Sequence, residues 1–193
     1  MKRLILASLM TLTVAFTATK DAQAADYVID TNGAHASILF RVSHLGYSWL
    51  HGSFNDFSGT FSYDADNPKA SKVSVTIDVT SVDTNHAERD KHLKGGDFFD
   101  VSKYPEATFV STGLSMNADG TAQLNGDFTL RGVTKPIAID VTKIGEGKDP
   151  WGGYRAGFRG TTKITMADYG MTFNLGPSAT QAELTLNVEG VRQ

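Results

Sequence analysis

The sequence predicts an all-β chain that closes as an antiparallel, up-and-down, eight-stranded barrel with a short helical cap inserted around residues 85–94. Three observations predict it. From residue 26 onward apolar and polar residues alternate with period two through most of the chain, as in strands that bury one face. The interruptions are mostly of hairpin length and carry Asn, Asp, Gly or Pro, the residues that tight turns require. One stretch, Asn85 to Lys94, follows neither rule: it is polar all round apart from Ala87 and Leu93. Such a helix has little apolar face to bury, so packing alone does not explain it. Closing the sheet removes its edges; a two-sheet sandwich is the alternative with the same patterning.

Taken in order, Tyr27–Asp30 opens the first strand, Asn32-Gly33 turns, and Ala34–Val42 continues with Ile38, Phe40 and Val42 on one face and Ser37 and Arg41 on the other. His44–Gly52 is aromatic and glycine-rich and breaks the alternation, which reads as a bend or bulge rather than a clean strand. Phe57, Gly59, Phe61 and Tyr63 alternate again, and Asn67-Pro68 turns. Val73, Val75, Ile77 and Val79 form the clearest strand of the chain. Asn85 then offers an N-cap, with Glu88 at the capping-box spacing. Gly95-Gly96 offers an exit, and Lys91 and Lys94 suit the C-terminal dipole. Phe98, Phe99, Tyr104 and Phe109 follow as an aromatic plug.

Further strands are expected at Ala107–Leu114, at the run carrying Leu124, Gly126, Phe128 and Leu130, and at Ile137–Thr142. Two more follow at Arg155–Met166 and Glu183–Glu189. Turns lie at Asn117–Gly120 and Asp149–Gly153, and a looser glycine-containing segment at Asp168–Ala179.

The chain opens with Lys2-Arg3, an apolar run from Leu4 to Ala18 and Ala22-Gln23-Ala24. This is the plan of a secretory signal peptide cut after Ala24, and the run is too short to serve comfortably as a membrane span. Residues 1–24 hold three of the 18 Lys+Arg and one of the 21 Asp+Glu, so the remaining 169 residues carry a net charge of −5. That is one domain, residues 25–193, with room for a core. The charge argues against nucleic acid as a partner. There is no cysteine, which excludes thiol catalysis and thiolate metal sites. An export signal with this composition places the chain in the periplasm, with no stable membrane insertion.

Many short runs, in order, resemble the YceI-like family of exported, lipocalin-like proteins that bind polyisoprenoids. They are His44-Leu45-Gly46-Tyr47-Ser48-Trp49, Asn55-Asp56-Phe57-Ser58-Gly59, Ser81-Val82-Asp83-Thr84-Asn85 and Arg89-Asp90-Lys91-His92-Leu93. Asp97-Phe98-Phe99, Tyr104–Phe109, Gly126–Leu130, Gly132–Pro136 and Gly157-Phe158 continue the series. The resemblance covers residues 26–190. It implies a lipocalin-like barrel with a long apolar tunnel and a prenyl-chain lipid, of quinone or polyprenyl phosphate type, as ligand.

For such a ligand the inward aromatics Phe40, Phe57, Phe61, Phe109, Phe128 and Phe158, interleaved with Gly59, Gly126 and Gly160, are the expected tunnel wall. The same residues would equally fill a solid core. Trp49, Arg41, His44, His86, Arg89 and Lys91 are the candidates at the mouth, where a charge-assisted hydrogen bond to a head group is worth roughly 1.5–3 kcal/mol. Arg89 and Asp90 have an alternative role in holding the helix on the barrel. His86 with Asp90, and Glu88 with His92, are spaced i, i+4, but the pairs lie on different faces with no third ligand, so no metal or other cofactor is expected. Gly46–Leu50 lacks the closing glycine of a nucleophile elbow and Gly145–Asp149 lacks the Ser or Thr of a P-loop; no catalytic residue is assigned. A lipid carrier, an enzyme acting on an apolar or isoprenoid substrate, and a solid-packed stress-protective barrel are the three functional classes open on sequence. A homodimer through an edge such as residues 27–30 is a further expectation.

Overall fold

Antiparallel pairing runs unbroken around a closed ring in the computed structural model, which describes residues 24–193. The signal-peptide reading therefore lies, but for Ala24, outside the described residues. Among these residues there are eleven strands and one α-helix: β1 Ala25–Ile29, β2 Ser37–His44, β3 Ser48–Phe54, β4 Phe57–Tyr63, β5 Lys72–Asp78, β6 Val82–Asp83, α1 Ala87–Lys94, β7 Glu106–Met116, β8 Ala122–Leu130, β9 Val133–Lys148, β10 Tyr154–Thr165 and β11 Gln181–Arg192.

Three pairs of strands are single rows interrupted once. β1 and β2 both run antiparallel to β11, with Ile29 opposite Gly190 and Ser37 opposite Asn187. β3 and β4 together face that row, with Phe54 opposite Ile38 and Thr60 opposite Val28. β5 and β6 face them in turn, Ile77 opposite Phe57 and Val82 opposite Phe54. Counting each split row once gives the eight-stranded antiparallel barrel, each row paired to its sequence neighbours and β11 closing on β1 and β2. β1 has β4 on one side and β11 on the other. It is no edge, so the premise of a dimer through residues 27–30 is lost.

The His44–Gly52 bend of the sequence reading is corrected: β2 and β3 form a hairpin with a three-residue loop, Leu45–Tyr47, His44 lying opposite Ser48 and Tyr47 N–H donating to the His44 carbonyl at 2.9 Å. Leu45 and Gly46 both have positive φ, 53° and 80°, the conformation of a type I′ turn. Leu45 is not a residue that advertises this turn. Gly52 also leaves a gap in the inward series Leu50, Phe54, so the alternation is hard to see. That gap is filled from the opposite strand: a Cβ on Gly52 would lie 2.3 Å from the Phe40 ring, and Phe40 is its register partner. The two-residue hairpin between β8 and β9 uses the same pair of positive angles at Arg131 and Gly132, φ 51° and 72°, so β9 begins at Val133, earlier than expected.

The inward side chains form two clusters. The larger spans the middle and the helix end, around Phe40, Phe54, Phe109, Phe128 and Tyr169. The smaller, Tyr27, Ile29, Phe61 and Ala156, lies at the end where β1 begins; there the Tyr27 and Phe61 rings stack at 4.8 Å.

On the outer surface the loop between β1 and β2 is tied down by Arg155 of β10. Its guanidinium donates to Asp149 at 2.8 Å, to Glu189 at 2.6 Å and to Asp30 at 2.5 Å. Asp30 also meets His35 Nδ1 at 3.0 Å and accepts Gly33 N–H at 2.9 Å. Asp30, His35 and Glu189 each bring a ligand-type atom within 4.8 Å of the others, but the Arg155 cation already sits between the two carboxylates. The His35 hydrogen bond, then Arg155, holds the Asp30 carboxyl well below its usual range, and Arg155 does the same for Asp149.

Two predictions follow from this architecture. Gly52→Ala is expected to cost about 1–3 kcal/mol through overpacking against Phe40, measured by denaturant unfolding. Lowered carboxyl pKa values mean stability that is complete at neutral pH and lost as pH falls below about 4 towards the lowered values. Arg155→Met is expected to lose this contribution at neutral pH already and to flatten the acid limb of thermal midpoint against pH. Parallel curves for the two proteins would show that the network does not act this way.

Candidate functional site

Period-two alternation sends one residue in two into the barrel, and along the rows those residues are almost all apolar. They leave a cavity of about 610 Å³, within the range of small-molecule sites and incompatible with a barrel packed solid. Its wall includes Phe40, Phe57, Phe61, Phe109, Phe128 and Phe158, together with Leu124, Ile139, Leu184 and Leu186. Two further glycines make room for rings: a Cβ on Gly126 would lie 2.4 Å from Phe109, and one on Gly190 2.4 Å from Phe61. The lining runs the length of the barrel, from His44, Arg89 and Phe173 at the helix end to Tyr63, Pro68, Gly120 and Lys143 at the other.

The mouth candidates separate into two groups. His44 and Arg89 line the cavity. Arg41, Trp49, His86 and Lys91 do not. The alternation that turns Phe40 and Val42 inward turns Arg41 outward, where its Nε and Nη2 donate to Glu183 at 2.8 and 2.6 Å. Its guanidinium covers the Trp49 ring at 4.2 Å, a cation–π contact on the outer wall. His86 is the N-cap of α1: its Nδ1 accepts the Arg89 N–H at 3.2 Å. Asn85 was expected in that role. It instead takes a left-handed conformation, φ 59°, with its N–H donating to Asp83 at 2.7 Å, and the helix begins one residue later.

A helix with no buried residue needs another anchor, and Thr84 supplies it. Thr84 is buried. Its hydroxyl donates to Asp90 and accepts from Arg89 Nε at 2.7 Å, while its carbonyl accepts from Arg89 Nη2 at 2.7 Å and its N–H donates to Asp90 at 2.9 Å. Burial raises the Asp90 carboxyl, but the bonds from Thr84 and the helix start outweigh it and leave its pKa lowered. Leu93 and the buried Phe98 then fix the helix over the barrel end, with Phe99 edge-on to Phe54 at 5.6 Å. Arg131, from the β8–β9 hairpin, clips this cap to the segment before β11, donating to the Gly96 carbonyl at 2.7 Å and to the Gly170 carbonyl.

The sequence reading did not single out the polar residues at the opposite end. Ser71, 8 % exposed, and Lys143 both line the cavity beside Tyr63. Lys143 continues the inward phase of Ile137, Ile139 and Val141, which was the available signal. Tyr169 is also buried, which pushes its phenol up to about 12, but it packs on Phe128 at 5.6 Å outside the cavity lining. For the cap, Thr84→Val is expected to destabilise by about 1–3 kcal/mol, since it strands Arg89 and Asp90. Faster hydrogen exchange over residues 84–94, restored by Thr84→Ser, is the check.

Comparison with known proteins agrees with this geometry. The YceI-like domain matches residues 27–191. A UPF0312 protein of Shewanella sp. (strain ANA-3) is 61% identical over 172 residues, covering 89% of this chain and 90% of its own. One from Shewanella putrefaciens is 55% identical over the whole of both chains. Among solved structures, a Campylobacter jejuni YceI protein superposes with a TM-score of 0.68 at 31% identity, over 79% of this chain and 90% of its own. Burkholderia cenocepacia BcnA shares the fold at a TM-score of 0.73 and 22% identity, covering 83% of this chain and 98% of its own. So does a polyisoprenoid binding domain from Saccharophagus degradans, implicated in plant cell wall breakdown, at 0.64 and 17%, covering 89% and 100%. A closed barrel with a ligand-sized apolar bore, carrying the sequence of this domain from end to end, belongs to the YceI-like family.

Proposed function

We propose that this protein is an exported, periplasmic carrier for an isoprenoid lipid whose chain lies along the barrel. The observation that carries the reading is the bore itself: about 610 Å³, with its polar wall groups gathered at the two ends and only Thr162 between them, whose hydroxyl is spent on the Ala138 carbonyl at 2.7 Å. An interior with no free polar group between its two ends selects a long apolar chain and gives little to a polar solute. Phe40, Phe57, Phe61, Phe109, Phe128 and Phe158 contact that chain, and His44 and Arg89 bound it at the helix end. On this reading Trp49, Arg41 and His86 act from outside, stiffening the wall and starting the cap. The family, and the ligand class named for the S. degradans domain of the same fold, support the isoprenoid assignment. The export-type leader supports the compartment. Among the described residues no helix is long and apolar enough to cross a membrane.

Each buried CH₂ contributes about 0.8 kcal/mol relative to water. Because the lipid comes from another apolar phase, most of that gain cancels, and the protein can both take up and release its cargo. On this reading the protein holds its ligand without converting it.

The test is mass spectrometry of organic extracts from the protein purified out of its native periplasm. A stoichiometric prenyl lipid is the expected result. A lipid-free protein that also takes up no added prenyl lipid would overturn the reading. Leu186→Trp, which fills the bore from a half-buried wall position, is expected to lower prenyl-lipid binding at least about tenfold while the far-ultraviolet circular dichroism is retained.

A further inference from the structure

The lipid-carrier reading leaves open which end of the bore receives the polar end of the ligand, and the polar atoms on the cavity wall differ sharply between the two ends. At the helix end His44 is exposed to solvent, and the two other charged or titratable wall groups, Arg89 and His92, are committed. Arg89 Nε and Nη2 are spent on Thr84. His92 Nε2 lies 3.0 Å from Asp97, and its ring is packed edge-on to Phe98 and Phe173 at 5.1 and 5.2 Å.

At the opposite end they are not. Ser71 Oγ is buried and has no hydrogen-bond partner among the described residues. An unsatisfied buried hydroxyl is costly, and an acceptor oxygen placed beside it would remove that cost. Tyr27, Ile29 and Phe61 close the wall just below. Lys143 Nζ lies 2.9 Å from Glu146 and 5.0 Å from the Tyr63 ring centroid, which leaves ammonium hydrogens for a further acceptor. These groups are neighbours through the sheet. Lys72, next to Ser71, lies opposite Ser62; the Tyr63 ring meets Phe158 at 5.1 Å; Phe158 lies opposite Lys143. Ser62 Oγ is already occupied by the Lys72 N–H at 3.2 Å.

The geometry points to a head-group site at the end of the barrel away from the helix, in which Ser71 Oγ and Lys143 Nζ donate to an acceptor oxygen on the ligand and Tyr63 flanks it. The chain then runs up the bore with its last isoprene units under the Phe98–Phe99 plug. The chemistry required of the head is a hydrogen-bond-accepting oxygen, which a phosphate monoester and a quinone carbonyl share. Glu146 at the rim offsets the Lys143 charge, so a neutral carbonyl is accommodated and a phosphate is favoured over it only through the direct contact.

Three probes of matched chain length separate the alternatives: geranylgeranyl phosphate, a prenylquinone and the head-free prenyl hydrocarbon, each added to mature wild type, Ser71→Ala, Lys143→Met and Arg89→Lys and read by native mass spectrometry. Wild type is expected to prefer both oxygen-headed probes over the hydrocarbon. Ser71→Ala is expected to reduce that preference about tenfold for both, the worth of one such hydrogen bond. Lys143→Met is expected to reduce it mainly for the phosphate. Retained hydrocarbon binding shows that each variant is folded with an open bore. A preference untouched in both variants, or lost in Arg89→Lys instead, overturns the head-group assignment while leaving the carrier reading intact. Wild type that binds none of the three overturns the carrier reading itself.

Discussion

The ladder between β11 and the split β1–β2 row is the interaction on which the rest of the molecule depends. It pairs the two ends of the described chain, so the sheet closes into a ring and every row has a partner on each side along at least part of its length. A sheet stabilised around its whole circumference does not need a filled interior to hold its shape. That is what allows a cavity of about 610 Å³ along its axis. Arg155 reinforces the joint from outside, at the one place where the loop of residues 30–36 leaves the ladder, by gathering Asp30, Asp149 and Glu189.

The cap obeys a different physics. Hydrophobic burial, which sets the inward face of every strand, gives α1 almost nothing to hold. The helix is fixed instead through one buried threonine that satisfies both an acid and a base on adjacent residues, and through the aromatic pair that follows it. Polar anchoring is directional where burial is not, so the helix lies in one place on the rim although its own surface would suit water on all sides.

Much of this was legible. Alternation at Ile38–Val42, Phe57–Tyr63, Val73–Ile77 and Leu124–Leu130 gave the strands, their inward faces and the six phenylalanines of the wall. It also places Arg41 on the outer phase, opposite to Phe40 and Val42, and therefore away from the mouth. The Leu45-Gly46 turn escaped because its first residue carries a branched side chain into a left-handed conformation. The capping-box spacing at Asn85 was genuine but lost to a competitor: the Asp83 carboxylate captures the Asn85 N–H and bends the chain first. Ser71 escaped for a more basic reason. Its significance lies in having no partner, and an absence of partners is a property of three dimensions that no local pattern encodes.

The three interruptions fall in adjacent rows, at residues 30–36, 55–56 and 79–81. They are cross-braced where they meet, Asn55 and Asp56 N–H both bonding to Ser81 and Asp78 N–H to the Asp56 carbonyl. The five remaining rows run without such a gap, β7 carrying a bulge at Thr112 and β9 one at Ile144. Mechanically the wall is thus an arc of continuous staves joined to a jointed panel. Any change in girth would concentrate where rows can pivot about their breaks, so the barrel would yield on the side of the jointed panel before it yields on the side of the continuous staves.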